Sequence, residues 1–308
     1  MTVLAPPVDP APAARLDALV GVPLTHRHLD RWWGRQHVVE AGPPDAPPLV
    51  LLHGWPQHWF AWRHVIRALA HEARVVVPDT RAFGWSRCHL DRRARRAVTT
   101  PSLAADVVDL LDDLGLASAH LAGHDWGGWF AFHVALHHPA RVRSLTTAAI
   151  MPPWLSGAGV LRRASGLGYL LPMGLLGDRA ARDPRVVSWL LRISTGDHDV
   201  WATDDGRTAR AHYTDRLRTP EAQDVTRLLY RRMVAVELRQ ACGPRPGRLA
   251  MPARLVLGGR EPIAHRDVFW SRTHPGEVEL VDAPGAGHWV LDEDPGAVVG
   301  ALQAALRG

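Results

Sequence analysis

Residues 121–130 read LAGHDWGGWF, and this stretch has the pattern of a buried strand followed by a tight turn and a helix. Its frame GHDWG (123–127) matches the G-x-S-x-G outline of a nucleophile elbow, with a carboxylate in the serine position. Glycines on both sides of Asp125 permit a strained turn and close packing of the helix on the strand. We interpret Asp125 as a nucleophile; the alternative is an aspartate that caps the helix N-terminus.

The segments around this turn alternate between strand and helix patterns. Continuous apolar runs at 47–56 (PPLVLLHGWP) and 74–80 (RVVVPDT) are typical of strands buried on both faces. The alternation then stops for about a hundred residues of helical, irregular pattern before it resumes. We therefore predict an α/β fold with a mostly parallel, doubly wound sheet and an inserted helical cap. The first part of the core is predicted at 1–151, the cap at 152–248 and the second part of the core at 249–308.

The composition of the 308 residues, 46% hydrophobic and 22% charged, is that of a globular protein. The sequence contains no run of eighteen apolar residues that could span a membrane, so we expect no membrane partner. The first twenty residues lack a basic start and are interrupted by prolines, which argues against a signal peptide. The two cysteines, Cys88 and Cys242, can form neither a disulfide framework nor a metal-ligand pattern. We expect a cytoplasmic protein.

The net charge is +5, and all of the basic side chains counted in it are arginines, because the chain contains no lysine. The densest cluster, Arg92–Arg96, is expected to be a solvated loop, since no aromatic interleaving supports a nucleic-acid partner. His133 and His137 lie four residues apart on a predicted helix, with His138 adjoining, but no third ligand has suitable spacing. No phosphate-binding or dinucleotide fingerprint is present. The sequence thus predicts no metal, no cofactor and no nucleic acid.

A histidine and an acid follow Asp125 in the chain order of a catalytic triad. His288, in GAGHWV, lies in a glycine-rich loop between the last predicted strand and the final helix. Glu261, in LGGREPI, ends the strand after the cap, where it can accept a hydrogen bond from the histidine. Three other acids lie near in sequence and remain alternatives for this role: Asp267, Asp282 and Asp292.

The segment HGWP ends a buried strand and is the second predicted part of the site. The backbone N–H groups of Trp55 and Trp126 are suited to form an oxyanion hole, since the residue after the nucleophile commonly does so. His53 and Pro56 are assigned to the same substrate-binding segment. Trp154, just past the strand before the cap, is predicted either to line the pocket or to pack in the core.

Five motifs carry a resemblance to a known family: LLHGWPQHWFAWR, VPDTRAFGWS, AGHDWGG, LGGREPI and GAGHWV. From about residue 22 onward the chain resembles the epoxide hydrolases of the α/β-hydrolase fold. The resemblance implies that Asp125 is an alkylating nucleophile and that Glu261 and His288 complete its triad. The family's acid is most often Asp, so Glu261 departs from the usual pattern.

All three tyrosines of the chain fall in the predicted cap. Tyr230, in RLLYRRM, matches by context the second ring-opening tyrosine of that family. Tyr169, in GLGYLLP, lies roughly where the family has its first, although the local match is poor. Tyr213, in AHYTDRL, is interpreted as a helix-surface or packing residue.

The chemistry of a carboxylate nucleophile indicates the substrate class. It is ionised at neutral pH and suited to attack an sp³ carbon bearing a leaving group, giving an enzyme ester that histidine-activated water hydrolyses. An epoxide oxygen needs a proton donor, whereas a halide needs only N–H donors. Haloalkane dehalogenases tend to have a polar residue where this chain has Trp55. We predict an epoxide hydrolase acting on a small-molecule epoxide and water, with a homodimer among the expected states. The alternatives are a haloalkane dehalogenase and a non-catalytic ligand-binding relative.

Overall fold

One sheet forms the centre of the computed structural model, which describes residues 10–308, so the signal-peptide prediction lies partly outside the described residues. Its nine strands within that range are β1 (Thr25–Arg31), β2 (Gly34–Ala41), β3 (Pro48–Leu52), β4 (Arg74–Pro78), β5 (Arg87–Cys88), β6 (Ala119–His124), β7 (Val142–Ala148), β8 (Ala253–Gly258) and β9 (Glu279–Ala283). The strand order is β1-β2-β4-β3-β6-β7-β8-β9, with β5 beside β2. The pairings from β4 to β9 are parallel, and those of β2 are antiparallel. The predicted mostly parallel sheet is confirmed.

Helices cover both faces of this sheet. The α-helices in the described part of the chain are α1 (Pro10–Val20), α2 (Arg63–Leu69), α3 (Arg92–Arg96), α4 (Thr100–Asp113), α5 (Trp126–His137), α6 (Gly157–Arg162), α7 (Ala164–Leu167), α8 (Leu170–Arg182), α9 (Pro184–Ile193), α10 (Asp204–Arg216), α11 (Pro220–Arg232), α12 (Leu238–Ala241), α13 (Val290–Glu293) and α14 (Pro295–Arg307). Helices α1, α2 and α14 form one packed group, and α4 and α5 form the other. Both α5 and α14 pack on β6 and β7, so the two groups lie on opposite faces.

The segment between β7 and β8 is helical and is called the insert below (residues 149–252). It contains α6 to α12, of which α8 and α11 pack most extensively on each other. No helix in residues 10–308 is both long and apolar enough to cross a membrane. The arginine cluster expected in a loop instead forms the short helix α3, because Asp91 caps its N-terminus. The arginine side chains of α3 are exposed, although some of them contact neighbouring side chains.

The turn between β6 and α5 depends on glycines because three backbones meet there. A Cβ atom on Gly127 would lie 2.2 Å from the carbonyl oxygen of Leu52, at the end of β3. A Cβ atom on Gly123 would lie 2.4 Å from the carbonyl oxygen of Gly127. Every residue of β3 and β6 is buried, as expected for the central strands of a parallel sheet. Because Gly123 and Gly127 lack side chains, α5 can pack closely against the ends of β3 and β6.

We expect Gly127→Ala to lower the free energy of unfolding by about 1–3 kcal/mol, because the added methyl group meets rigid backbone rather than a movable side chain. Gly300→Ala is the matched control, since Gly300 also lies in a helix but a Cβ atom there meets nothing within 4 Å. The control should stabilise the protein by up to about 1 kcal/mol through helix propensity. Urea denaturation measures both. Equal effects of the two substitutions would contradict the packing argument.

Candidate active site

Asp125 lies at the turn between β6 and α5 in a strained backbone conformation, with φ of 49° and ψ of −123°. Although it occupies the N-cap position of α5, its side chain makes no capping hydrogen bond. Its Oδ2 instead accepts a hydrogen bond of 2.9 Å from the backbone N–H of Trp55. The backbone N–H of Trp126 also hydrogen-bonds this carboxylate, which lowers the pKa of Asp125. The capping alternative therefore does not describe the side chain of Asp125.

The loop after β3 reaches Asp125 because Gly54 lacks a side chain. A Cβ atom on Gly54 would lie 2.5 Å from the Cβ atom of Asp125. His53 holds this loop from below: its Nδ1 donates to the Gly54 carbonyl at 2.9 Å, and its Nε2 accepts from the Thr80 N–H at 3.0 Å. The imidazole thus orients the loop that presents the N–H of Trp55.

Two residues of the HGWP segment do not reach the cavity beside Asp125, contrary to the prediction that they bind substrate. Both ring nitrogens of His53 are occupied by backbone partners in the core, where the residue is 1% exposed. Pro56 is buried and follows Trp55 through a cis peptide bond. Of the four HGWP residues, Trp55 lines the cavity.

Asp125, His288 and Glu261 form a buried triad. The Nδ1 of His288 donates to Oε2 of Glu261 at 3.0 Å, and its Nε2 lies 3.8 Å from Oδ1 of Asp125. The other oxygen of Glu261 accepts from the backbone N–H groups of Ile263 at 2.7 Å and Ala264 at 3.2 Å. All three triad residues are at most 8% exposed. The Glu261 carboxylate is therefore held in place by backbone N–H groups of the loop that carries it.

The three competing acids lie elsewhere. Asp267 pairs with Arg163, and Asp292 pairs with the buried Arg63 at 2.8 Å. Asp282 is exposed at the edge strand β9. Within the described residues, Glu261 is thus the acid that hydrogen-bonds His288.

Burial favours the neutral forms of Asp125 and His288, whereas the attraction between their opposite charges favours the ionised forms. Burial raises the pKa of Asp125 to about 6, although His288 and the N–H groups of Trp126 and Trp55 oppose the change. Burial lowers the pKa of His288, but the carboxylates of Glu261 and Asp125 outweigh it and raise the pKa to about 9. At neutral pH these values correspond to an imidazolium at His288 beside an ionised Asp125.

Two tyrosines of the insert line a cavity of about 200 Å³ together with Asp125 and His288. Tyr169 directly precedes α8 and Tyr230 lies in α11, and their ring centroids are 6.0 Å apart in an edge-to-face arrangement. Trp126 packs edge-to-face on Tyr230 at 5.5 Å. Burial raises the pKa of both tyrosines well above the usual range, so both hydroxyls are protonated and able to donate.

The remaining lining of the cavity is mostly apolar and was not predicted. It consists of Ser165, Gly166, Leu190, Ile193, Ser194, Pro262, Ile263 and Trp289. Leu190 and Ile193 come from α9, whose sequence pattern predicts an amphipathic helix but not the direction of each face. Pro262 and Ile263 directly follow Glu261, and Trp289 directly follows His288, so proximity along the chain was the available signal.

Trp154 does not line this cavity, so of its two predicted roles the structure favours packing in the core over contact with substrate. It is fully buried, its indole N–H donates to the Thr273 hydroxyl at 3.0 Å, and the Arg245 guanidinium lies 4.1 Å above its ring. These partners hold Trp154 where the insert packs on the segment after β8. Tyr213 is also fully buried outside the cavity, where it packs edge-to-face on His58.

His133 and His137 do lie side by side on α5, with ring centroids 5.7 Å apart. In the part of the chain that the structure describes, no three His, Cys, Asp or Glu side chains are arranged to hold a metal ion.

The family model described as alpha/beta hydrolase fold matches residues 47–295. Soluble epoxide hydrolase of Corynebacterium sp. strain C12 is 41% identical over 86% of this chain and 91% of its own length. Epoxide hydrolase A of Mycobacterium tuberculosis is 41% identical over 94% of this chain and 99% of its own length. The match to Epoxide hydrolase 4 of Mus musculus, 35% identical, spans 43% of this chain and 36% of that protein. The crystal structure of Epoxide Hydrolase A from Mycobacterium thermoresistibile has a TM-score of 0.72 and 26% identity, covering 93% of this chain and 99% of that one.

We expect Glu261→Gln to lower the pKa of His288 by about 1–3 pH units, because it removes the largest contribution that raises it. NMR titration of ring-labelled histidine measures the change, with the His288 signal assigned from its loss in His288→Ala. Asp267→Asn is the matched control, since this carboxylate lies near in sequence but pairs with Arg163. A His288 pKa that stays near 9 in Glu261→Gln would show that another group holds the proton.

Proposed function

We propose that this chain, which belongs to the epoxide hydrolases of the α/β-hydrolase fold, opens a small-molecule epoxide with water to a vicinal diol. The observation that carries the proposal is the single cavity that Asp125 and His288 line together with Tyr169 and Tyr230. A nucleophile and proton donors in one cavity are what ring opening requires. We also propose that residues 152–248 act as the cap, because both tyrosines belong to it.

In the first step, Oδ1 of Asp125 attacks an epoxide carbon and the carbon–oxygen bond of the ring breaks. Oδ2 stays at the N–H of Trp55 and becomes the carbonyl oxygen of the new ester. The epoxide oxygen, which would otherwise leave as a basic alkoxide, takes a proton from a tyrosine hydroxyl. Burial keeps these hydroxyls protonated until the alkoxide forms.

In the second step, Nε2 of His288 removes a proton from water, and the water oxygen attacks the ester carbonyl carbon. The charge that develops on Oδ2 is stabilised by the N–H groups of Trp55 and Trp126. The ester bond then breaks and the departing diol oxygen takes the proton from His288. The carboxylic acid left on Asp125 gives its own proton back to His288, which restores the carboxylate and the imidazolium of the resting site. No cofactor is needed for either step.

Ester formation itself prepares the histidine for this role. The charge of Asp125 is one of the contributions that raise the pKa of His288 to about 9. Once Asp125 is esterified, that charge is gone, so the imidazolium more readily gives its proton to the tyrosinate left by the first step. The neutral imidazole can then act as the base. The substrate therefore switches His288 on by neutralising the nucleophile.

The cavity also favours an epoxide over a haloalkane, the first alternative. A halide would need N–H donors, but the indole N–H of Trp55 already donates to the Thr226 hydroxyl at 3.0 Å. The mostly apolar lining and the volume of about 200 Å³ favour small uncharged epoxides. A cytoplasmic location and a homodimeric state remain predictions.

We expect Asp125→Asn to lower diol formation from a small epoxide such as styrene oxide by about 10³-fold or more, because the amide is a poor nucleophile. His288→Ala should still be alkylated but should not release product. Intact-protein mass spectrometry after mixing with epoxide should then show an adduct of the epoxide's mass. Wild-type rates in Asp125→Asn, or normal turnover in His288→Ala, would contradict the two-step scheme. Binding without turnover in the wild type would support the non-catalytic alternative.

We expect the double variant Tyr169→Phe/Tyr230→Phe to slow alkylation by an epoxide about 10²–10⁴-fold, the usual contribution of an acid catalyst. Each single variant should be less impaired, because the other hydroxyl remains. Tyr213→Phe is the matched control, since this tyrosine is buried outside the cavity. Rapid-quench measurement of adduct formation gives the rates. If haloalkanes alkylate the protein and epoxides do not, the dehalogenase alternative is correct.

A further inference from the structure

Glu293, at the end of α13, contacts the backbone on both sides of His288. Its Oε1 accepts a hydrogen bond of 3.0 Å from the N–H of Trp289, and its Oε2 accepts one of 3.0 Å from the N–H of Gly287. Both neighbours of His288 are therefore held by a single carboxylate. The sequence-based interpretation of the site does not include this residue.

The same carboxylate reaches into the insert, where Oε2 accepts a third hydrogen bond, of 2.6 Å, from the N–H of Gly196. Residues 194–197, between α9 and α10, form what we call the seat. The seat also accepts directly from the histidine's own backbone, because the N–H of His288 donates to the Ser194 carbonyl at 2.8 Å. Asp197 in turn donates its N–H to the Gly285 carbonyl at 2.9 Å.

The seat and the histidine loop can approach this closely because glycines face each other. A Cβ atom on Gly196 would lie 2.2 Å from the Gly285 carbonyl oxygen, and one on Gly287 would lie 2.5 Å from the Ser194 carbonyl oxygen. The indole N–H of Trp289 adds a hydrogen bond of 2.8 Å to the Leu191 carbonyl of α9. The loop that carries His288 is thus attached to the insert that carries the two tyrosines.

We propose that Glu293 is a positioning residue for His288, which holds the histidine loop on the seat so that Nε2 faces the ester formed on Asp125. Within the described residues, no hydrogen bond joins Glu293 to Asp125, Tyr169 or Tyr230. Its loss should therefore impair the step that needs His288 far more than the step that needs Asp125. This inference rests on the proposed two-step function.

The test is single-turnover kinetics of Glu293→Gln with styrene oxide and excess enzyme, followed by rapid quench and mass spectrometry. The amide presents an NH₂ group to backbone donors, which loosens the loop without changing side-chain size. Alkylation should stay within about threefold of wild type. Ester hydrolysis should fall about tenfold to a hundredfold, as expected for a shift of about 1 Å in a catalytic group, so the ester accumulates. Glu293→Asp keeps the charge on a shorter side chain and should lie between Glu293→Gln and wild type.

Glu277→Gln is the matched control. The Glu277 side chain is 2% exposed and also accepts backbone hydrogen bonds, from Leu249 at 2.9 Å and His274 at 3.2 Å. It precedes β9, whereas the loop that carries His288 follows β9, so it lies at the other end of that strand. It should lose stability without accumulating ester. If Glu293→Gln does not fold, the comparison of Glu293→Asp with wild type decides.

Equal slowing of both steps in the Glu293 variants, or wild-type hydrolysis in them, would overturn the inference. His288→Ala separates this outcome from failure of the proposed function. If His288→Ala accumulates the ester while the Glu293 variants do not, only the role of Glu293 is wrong. If His288→Ala forms no ester either, the two-step function itself fails.

Discussion

The buried carboxylate of Asp125 is the constraint on which the rest of the site depends. A charge that is 8% exposed is costly unless polar groups replace the lost water. The protein supplies the N–H groups of Trp55 and Trp126 and the imidazolium of His288. Each of these is delivered by a different strand end, so the sheet must bring the ends of β3, β6 and the loop after β9 together. The glycines at the turn make that approach sterically possible.

The same electrostatics connect the two proposed chemical steps. While Asp125 is ionised, His288 keeps its proton and lies between two carboxylates, which is a stable arrangement but an inactive base. Esterification removes one negative charge from this group and leaves Glu261 as the main partner of the histidine. In the proposed mechanism a single buried charge is the nucleophile of one step, and its loss on esterification allows His288 to act in the next.

Local patterns were sufficient for the parts of the site that lie within one strand, turn or loop. Continuous apolar runs correctly indicated the buried strands β3 and β4, and the glycine-flanked Asp125 correctly indicated a sharp turn. The interpretation of the sequence was less accurate for side chains whose chemistry suits both a binding site and a buried structural position. Trp154 follows a strand near the cavity, yet its partner Thr273 lies 119 residues away and draws it into the core. His53 has the chemistry of a binding residue, but backbone groups occupy both of its nitrogens.

The sequence by itself determined the chemistry available to this protein: a carboxylate at a nucleophile turn, a later histidine in a glycine-rich loop, and tyrosines confined to the insert. Tertiary structure alone decided that Glu261 rather than Asp292 bonds His288, that Tyr169 and Tyr230 share one cavity of about 200 Å³, and that Glu293 joins Gly287 to Gly196. The physical reason is that residue type and local backbone preference act within a few positions. Distances across the cavity depend instead on how segments about a hundred residues apart pack together.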